Sequence, residues 1–317
     1  MIGPFRLILA TIVLSLLGAH GLRAQDDVCR RRVIAVGVSN TDNNIVTGMT
    51  PANFQATMNH QPIPVLAVTP NSTAARVIMI LDGSGSMTHE PKIWQAYISV
   101  AQEVVDQLPL STPMGFMLFT DRVELRGQLP TKHAAIRDQL EQLRSRNRKA
   151  TTALYDTIQA AALQFNPPIP GDSIYVLSDG DDDASRATLA TAQDLLIERG
   201  VRLFTFSINV AEPHPSRMHW DKGRSRDFVE ATGGYSVLMP ASRAESLPAR
   251  IGVTTAPDQD LVQLGEQIKL IFNFERVELE LSKDLRKTEN LELKPTGIPG
   301  PALSLTYPGK LAACLAK

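Results

Sequence analysis

From Val77 to Met239 the chain repeats one unit: a short, unbroken apolar run, a stretch of helix length, and another apolar run. VIMIL (77–81) leads into a helical stretch from about Pro91 to Leu108. MGFMLF (114–119) and VELRGQL (123–129) precede the amphipathic His133–Leu143, and ALYDTIQAAALQF (153–165) precedes SIYVLSDG (173–180). A helix from about Arg186 to Arg199, the run VRLFTFSIN (201–209), a helix near Asp227 and YSVLM (235–239) complete the series. Strands without polar alternation are covered on both faces, and helix-length connections between them make right-handed crossovers. The pattern predicts an α/β domain over about 75–250 with a doubly wound, mostly parallel sheet and helices on both faces.

The flanks read differently. Residues 33–72 alternate apolar and polar positions between turn residues such as Thr41-Asp42-Asn43-Asn44 and Asn59-His60. Beyond Pro257, QIKLIFNF, RVELELS, NLELK and ALSLTY alternate again. Small β-rich units are therefore expected at 25–74 and 251–317. At 317 residues and 43% hydrophobic the chain can fill a sizeable core. Thirty-two basic against 33 acidic residues leave a net charge of -1, which offers no field for gripping a phosphate backbone; nucleic acid is not an expected partner.

Met1–Arg6 carries one positive charge and Leu7–Leu17 is an apolar run shorter than a bilayer span, with small residues at Gly18, Ala19, Gly21 and Ala24. Residues 1–24 read as an export signal, so the mature chain is expected in an extracytoplasmic space, periplasmic or secreted, without stable membrane insertion after cleavage. The cysteines are Cys29 and Cys314. In an oxidising compartment they either bridge the two ends of the mature chain or stand as unpaired structural cysteines.

In open α/β sheets ligands gather at the carboxyl ends of the strands. The first strand delivers Asp82-Gly83-Ser84-Gly85-Ser86: one carboxylate and hydroxyls at alternate positions, separated by glycines that let the backbone turn. SIYVLS delivers Asp179, and Thr151-Thr152 opens the ALYDTI helix, where a hydroxyl can cap the helix or reach the same point. Oxygen donors with few carboxylates suit a hard cation, Mg²⁺ or Mn²⁺, completed by water or a foreign ligand. A cation left electron-poor by its protein ligands gains from an outside carboxylate, which predicts an acidic group on a partner protein.

Asp82-x-Ser84-x-Ser86 after VIMIL, Thr152 in TTALYD and Asp179 in VLSDG together resemble the metal-ion-dependent adhesion site of von Willebrand factor type A domains. The resemblance spans about 75–250. With NIVTGMTPANF and PIPVLAV before the domain and LTYPGKLAAC after it, the layout is similar to that of secreted bacterial proteins of this kind. It implies a Rossmann-like adhesion domain whose Mg²⁺ is held directly by Ser84 and Ser86, with Thr152, Asp82 and Asp179 acting directly or through water. Thr151 stands where the family usually has glycine, which leaves open whether Thr151 or Thr152 faces the metal.

The expected function is metal-dependent adhesion or protein binding, without catalytic residues. One alternative is an envelope scaffold whose flanking β units bind partners. Another is a Mg²⁺-dependent phosphotransferase, whose chemistry wants a second aspartate where Ser84 stands. Asp179, Asp181 and Asp183 mimic the opening of a calcium loop, but Ala184 and Ala190 replace the needed Gly and Glu; Asp181, Asp182 and Asp183 are expected to cap the next helix or face solvent. Arg144, Arg146, Arg148 and Lys149 read as a solvated basic loop, His89 as an exposed helix-start residue, and Asp121 as part of a strand end or rim. His214 and His219 lack the helical spacing of a zinc site.

Overall fold

A computed structural model describes residues 29–71, 75–146, 150–209, 224–248, 251, 259–297 and 302–314. The expected export signal, His214, His219, Arg148 and Lys149 lie outside the described residues.

The central layer is a six-stranded sheet built from β5 (Val77–Asp82), β6 (Met114–Phe119), β7 (Val123–Thr131), β8 (Ser173–Leu177), β9 (Arg202–Asn209) and β10 (Ser236–Pro240). Its order is β10-β9-β8-β5-β6-β7, parallel throughout except for β7, which runs antiparallel to β6. The unbroken apolar strands are explained by cover on both sides. Val77, Met79 and Leu81 pack with α2 (Pro91–Gln107) and α3 (His133–Leu143), whereas Ile78 and Ile80 pack with α4 (Leu154–Gln164), α5 (Leu189–Arg199) and α6 (Arg224–Ala231). The first helix, α1 (Gly85–Thr88), is a single turn directly after β5, and α7 (Ala241–Ala244) follows β10. Local chemistry sets the helix ends. Pro91 opens α2, Thr188 accepts a hydrogen bond from the Thr191 amide at the start of α5, and Gly200 closes α5 at a left-handed φ of 63°.

One expectation fails in the C-terminal segment. QIKLIF, read as part of a β unit, lies in helix α8 (Gln259–Phe272). Leu261, Leu264, Ile268 and Ile271 fall at helical spacing and fill the same core as α2 and α3, so α8 belongs to the central layer. Buried Gln267 ties it down: its amide group donates to the Thr205 and Tyr235 carbonyls, and its oxygen accepts from the Tyr175 hydroxyl.

The two flanking β segments share their sheets. One is four-stranded in the order β13-β1-β11-β4, where β1 is Arg31–Asn40, β4 Val65–Pro70, β11 Glu275–Glu280 and β13 Leu303–Thr306. The other has the order β14-β12-β2-β3, with β2 at Phe54–Met58, β3 at Gln61–Ile63, β12 at Glu289–Pro295 and β14 at Lys310–Leu311. Every pairing in both sheets is antiparallel. Ile34, Val36, Phe54, Met58, Val277, Leu279, Leu291 and Leu293 form one core between them. The Cys29–Cys314 disulfide closes this unit.

Arg202, at the start of β9, holds the end of α8 at the opposite pole from the strands' carboxyl ends, next to Phe274, where the chain enters β11. Its guanidinium donates to the Leu270 and Ile271 carbonyls at the end of α8 and lies over the rings of Phe204 and Phe274. Burial lowers its pKa to about 9, and the charge of Asp172 opposes that shift. Gly171 has φ of +103° with the Phe274 ring packed where a Cβ would stand, so no other residue fits.

Candidate metal centre

Strands β5 and β8 are neighbours, in register through Leu81 and Leu177, so the next residues, Asp82 and Ser178, face each other at the carboxyl ends. Asp82 is fully buried. Its Oδ1 accepts the Ser84 amide at 2.9 Å and its Oδ2 accepts the Ser178 hydroxyl at 2.7 Å. The Ser178 oxygen in turn accepts the Gly180 amide at 3.0 Å, shaping the loop that carries Asp179. The Ser84 and Ser86 hydroxyl oxygens lie 3.1 Å apart. Gly83 donates to the Phe119 carbonyl at 2.8 Å, and a Cβ there would come within 3.1 Å of Leu118 and 3.2 Å of Arg146. Glycine here keeps the turn clear of the Leu118 and Arg146 side chains.

Backbone bonds tie the threonine segment to the serine loop and to the end of β6. Gly85 donates to the Ala150 carbonyl at 2.9 Å and Ala153 to the Thr120 carbonyl at 2.8 Å. Of the two threonines, Thr151 is exposed and Thr152 is buried. Asp179 is half-buried and accepts the Asp181 amide at 3.2 Å. Asp82, Ser84 and Ser86 thus form one connected side-chain group. Asp179 lies close enough to act on Asp82 through its charge, and Thr152 joins the same pole through its backbone.

Burial and then the negative charge of Asp179 push the Asp82 carboxyl up to about 8, against the Ser178 and Ser84 hydrogen bonds that pull it down. The same charges reach Tyr97 on α2. Its hydroxyl accepts the Ile208 amide at 2.8 Å and is pushed well above its ordinary pKa, by burial first, then Asp179 and, less strongly, Asp82. Among the described residues neither Asp82 nor Asp179 forms an ion pair with Lys or Arg, so buried Asp82 and half-buried Asp179 have no such cation to balance them. That donor set fits a hard divalent ion. Among the described residues no three His, Cys, Asp or Glu side chains gather, so a cation here would rest on hydroxyls as much as on carboxylates.

The remaining sequence candidates sort themselves by contact. Asp182 does not cap the following helix; it accepts the Leu154 and Tyr155 amides at 2.7 and 3.2 Å, holding the start of the preceding one, α4. Asp183 Oδ1 accepts the Thr152 amide at 2.6 Å. A free helix start offers amides to whichever carboxylate the adjacent strand brings over it, and β8 delivers these acids above α4. Asp156, inside α4, returns the favour by accepting the Arg186 and Ala187 amides. Arg144 is bound to Glu141, Gln95 and Gln102, and Arg146 pairs with Glu124 at 3.5 Å. These two arginines are therefore engaged with protein partners. His89 is exposed just before α2, and Asp121 accepts the Thr120 hydroxyl at the rim. Ser178 and Asp183 are the residues that reading along the chain missed. Ser178 is visible once β5 and β8 are laid side by side; Asp183 carries no signal beyond its place in an acidic run.

No protein of curated function matches this sequence. Among solved structures, a von Willebrand factor type A protein from Catenulispora acidiphila is 13% identical, with 89% of this chain and 73% of that chain covered and a TM-score of 0.48. The conserved hypothetical protein BatB from Bacteroides thetaiotaomicron is 18% identical, covering 54% of this chain and 94% of that one, at 0.43. Proximal thread matrix protein 1 from the mussel byssus, solved with a zinc-occupied MIDAS motif, is 14% identical over 67% of this chain and 50% of that one, at 0.47. Likenesses this distant assign no residue a role. Residues 77–181, which run from the first residue of β5 through the loop that follows β8, match the family model described as the von Willebrand factor type A domain, and the chain carries such a domain.

Proposed function

We propose that the carboxyl-end pole of the central sheet binds Mg²⁺ or Mn²⁺ and through it a carboxylate on a partner protein, making this an extracytoplasmic binding module rather than an enzyme. The observation that carries this reading is buried Asp82, bonded to the Ser84 amide and the Ser178 hydroxyl next to the paired Ser84 and Ser86 hydroxyls, with Asp179 close enough for its charge to act on Asp82. Ser84 and Ser86 would hold the cation directly, with Asp82, Thr152 and Asp179 contributing directly or through water. When bound, the cation supplies a Lewis-acidic position for an anionic ligand. The chain's own residues do the preparing. Ser178 and the Ser84 amide fix the Asp82 carboxylate in one orientation, and Gly83 and Gly85 place the hydroxyls. The bridge between Cys29 and Cys314 supports an oxidising compartment.

The test has two arms. Mg²⁺ or Mn²⁺ should raise the melting temperature of the purified chain and chelator should reverse it. A pull-down from extracytoplasmic extract should retain a protein with Mg²⁺ that chelator releases, and amidation of that protein's carboxylates should abolish retention. An identical melt with metal and with chelator overturns the reading.

A further inference from the structure

The segment carrying Thr152 has its backbone held on both sides by one short stretch. The Thr152 amide donates to Asp183 Oδ1 at 2.6 Å, and the Thr152 carbonyl accepts the Asp183 and Ala184 amides at 3.0 and 2.9 Å. The two peptide planes that flank a Cα fix the direction of its Cα–Cβ bond, so anchoring both dictates where the threonine hydroxyl can go. Asp183 stands four residues beyond Asp179 on the same loop, which is held to β5 through Ser178 and Asp82. From this clasp we infer that Asp183 is a positioning residue for the metal centre: without touching the cation, it sets the place of Thr152 relative to Asp82 and Asp179.

The inference rests on the metal-binding reading above and sharpens it. Asp182, its neighbour, provides the contrast. Its carboxylate holds the Leu154 and Tyr155 amides inside α4 and accepts the Ser185 hydroxyl, contacts that stabilise a helix end without fixing Thr152. Adjacent acids of the same loop thus serve different ends, and substitution separates them.

Mn²⁺ binding by calorimetry, with the metal-free melting temperature measured in parallel, tests this on the full chain. Asp183→Ala should weaken Mn²⁺ binding by about tenfold or more, the usual cost of removing a group that orients a ligand. Asp183→Asn keeps an acceptor oxygen at the Oδ1 position and discards the charge, so it should bind within about threefold of wild type, the affinity expected when the oriented acceptor remains. Asp182→Ala should lower the metal-free melting temperature and leave Mn²⁺ affinity within the same threefold range. Should Asp183→Ala not fold, Asp183→Glu, which displaces the acceptor by one methylene and keeps the charge, should show the weakened binding in its place. Wild-type affinity in Asp183→Ala or Asp183→Glu overturns the inference. So does an Asp183→Asn chain as weak as alanine, which would make the charge the cause. A wild-type chain that binds no Mn²⁺ overturns the metal-site reading itself, a result distinct from both.

Discussion

Asp82 is the residue on which the site's energetics turn. Its folded-state pKa of about 8 lies above the ordinary 3.8, so the folded chain holds this proton more tightly than the unfolded one. Below about pH 4 the group is protonated in both states and costs nothing. As pH rises toward 8 the folded state must either keep the proton or ionise beside Asp179, so metal-free stability should fall across that window. Denaturation midpoints in chelator at pH 5 and pH 8 should differ in that direction, and saturating Mg²⁺ should shrink the difference, because the cation replaces the proton as the balancing charge. A flat profile in chelator would mean that Asp82 ionises freely. Ser178 offers a second check at this scale. Ser178→Ala strands Asp82 Oδ2 without its donor in a buried place and should cost about 1–3 kcal/mol in the presence of metal, read by chemical denaturation. Asp82, Ser84, Ser86 and Asp179 are candidates along the chain because each stands at or just after the end of a strand, and Thr152 because it stands just before a helix. Ser178 becomes legible only across strands, since its role comes from facing Asp82.

Periodicity carried most of the elements. The unbroken runs of β5, β6, β8 and β9 announce strands covered twice, and Pro91 and Gly200 mark helix ends in the sequence itself. Helix α8 shows where that reading stops. QIKLIFNF is dense in aliphatic and aromatic residues and mimics a strand when read from Gln267 onward. The helical spacing appears only when Leu261 and Leu264, upstream of the run, are included. What decides between the two is the neighbour: the central sheet offers α8 a groove beside β10 and three polar partners for Gln267. Leu264 is fully buried there, and Leu264→Ala should destabilise the chain by about 2–5 kcal/mol in urea denaturation. A loss under 0.5 kcal/mol, the usual size for a surface change, would show that α8 adds little to the central core.

At the scale of the whole molecule, the two ends of the chain build one unit around a domain inserted between them. Val33 pairs with Glu278 and Ala56 with Leu293, partnerships that no local pattern announces, because alternation tells which face a strand buries and not which strand lies beside it. Deleting residues 258–317 would therefore remove α8 from the central core along with half of both flanking sheets, and cannot separate a scaffold role from metal-dependent binding. The disulfide can. Cys29 and Cys314 stand 285 residues apart in sequence and lie in the flanking unit, whereas Asp82 and Ser178 meet across β5 and β8 in the central layer. Replacing both cysteines by serine should cost about 2–5 kcal/mol, because the bridge no longer restricts the unfolded chain. Mn²⁺ affinity should stay within about twofold of wild type, since changes at well-separated sites without shared partners act almost independently. Chemical denaturation and calorimetry on the same preparation read the two quantities side by side. A parallel fall in stability and metal affinity would mean that the flanking sheets hold the strand-end loops in place, and the central layer could no longer be treated as a site that stands by itself.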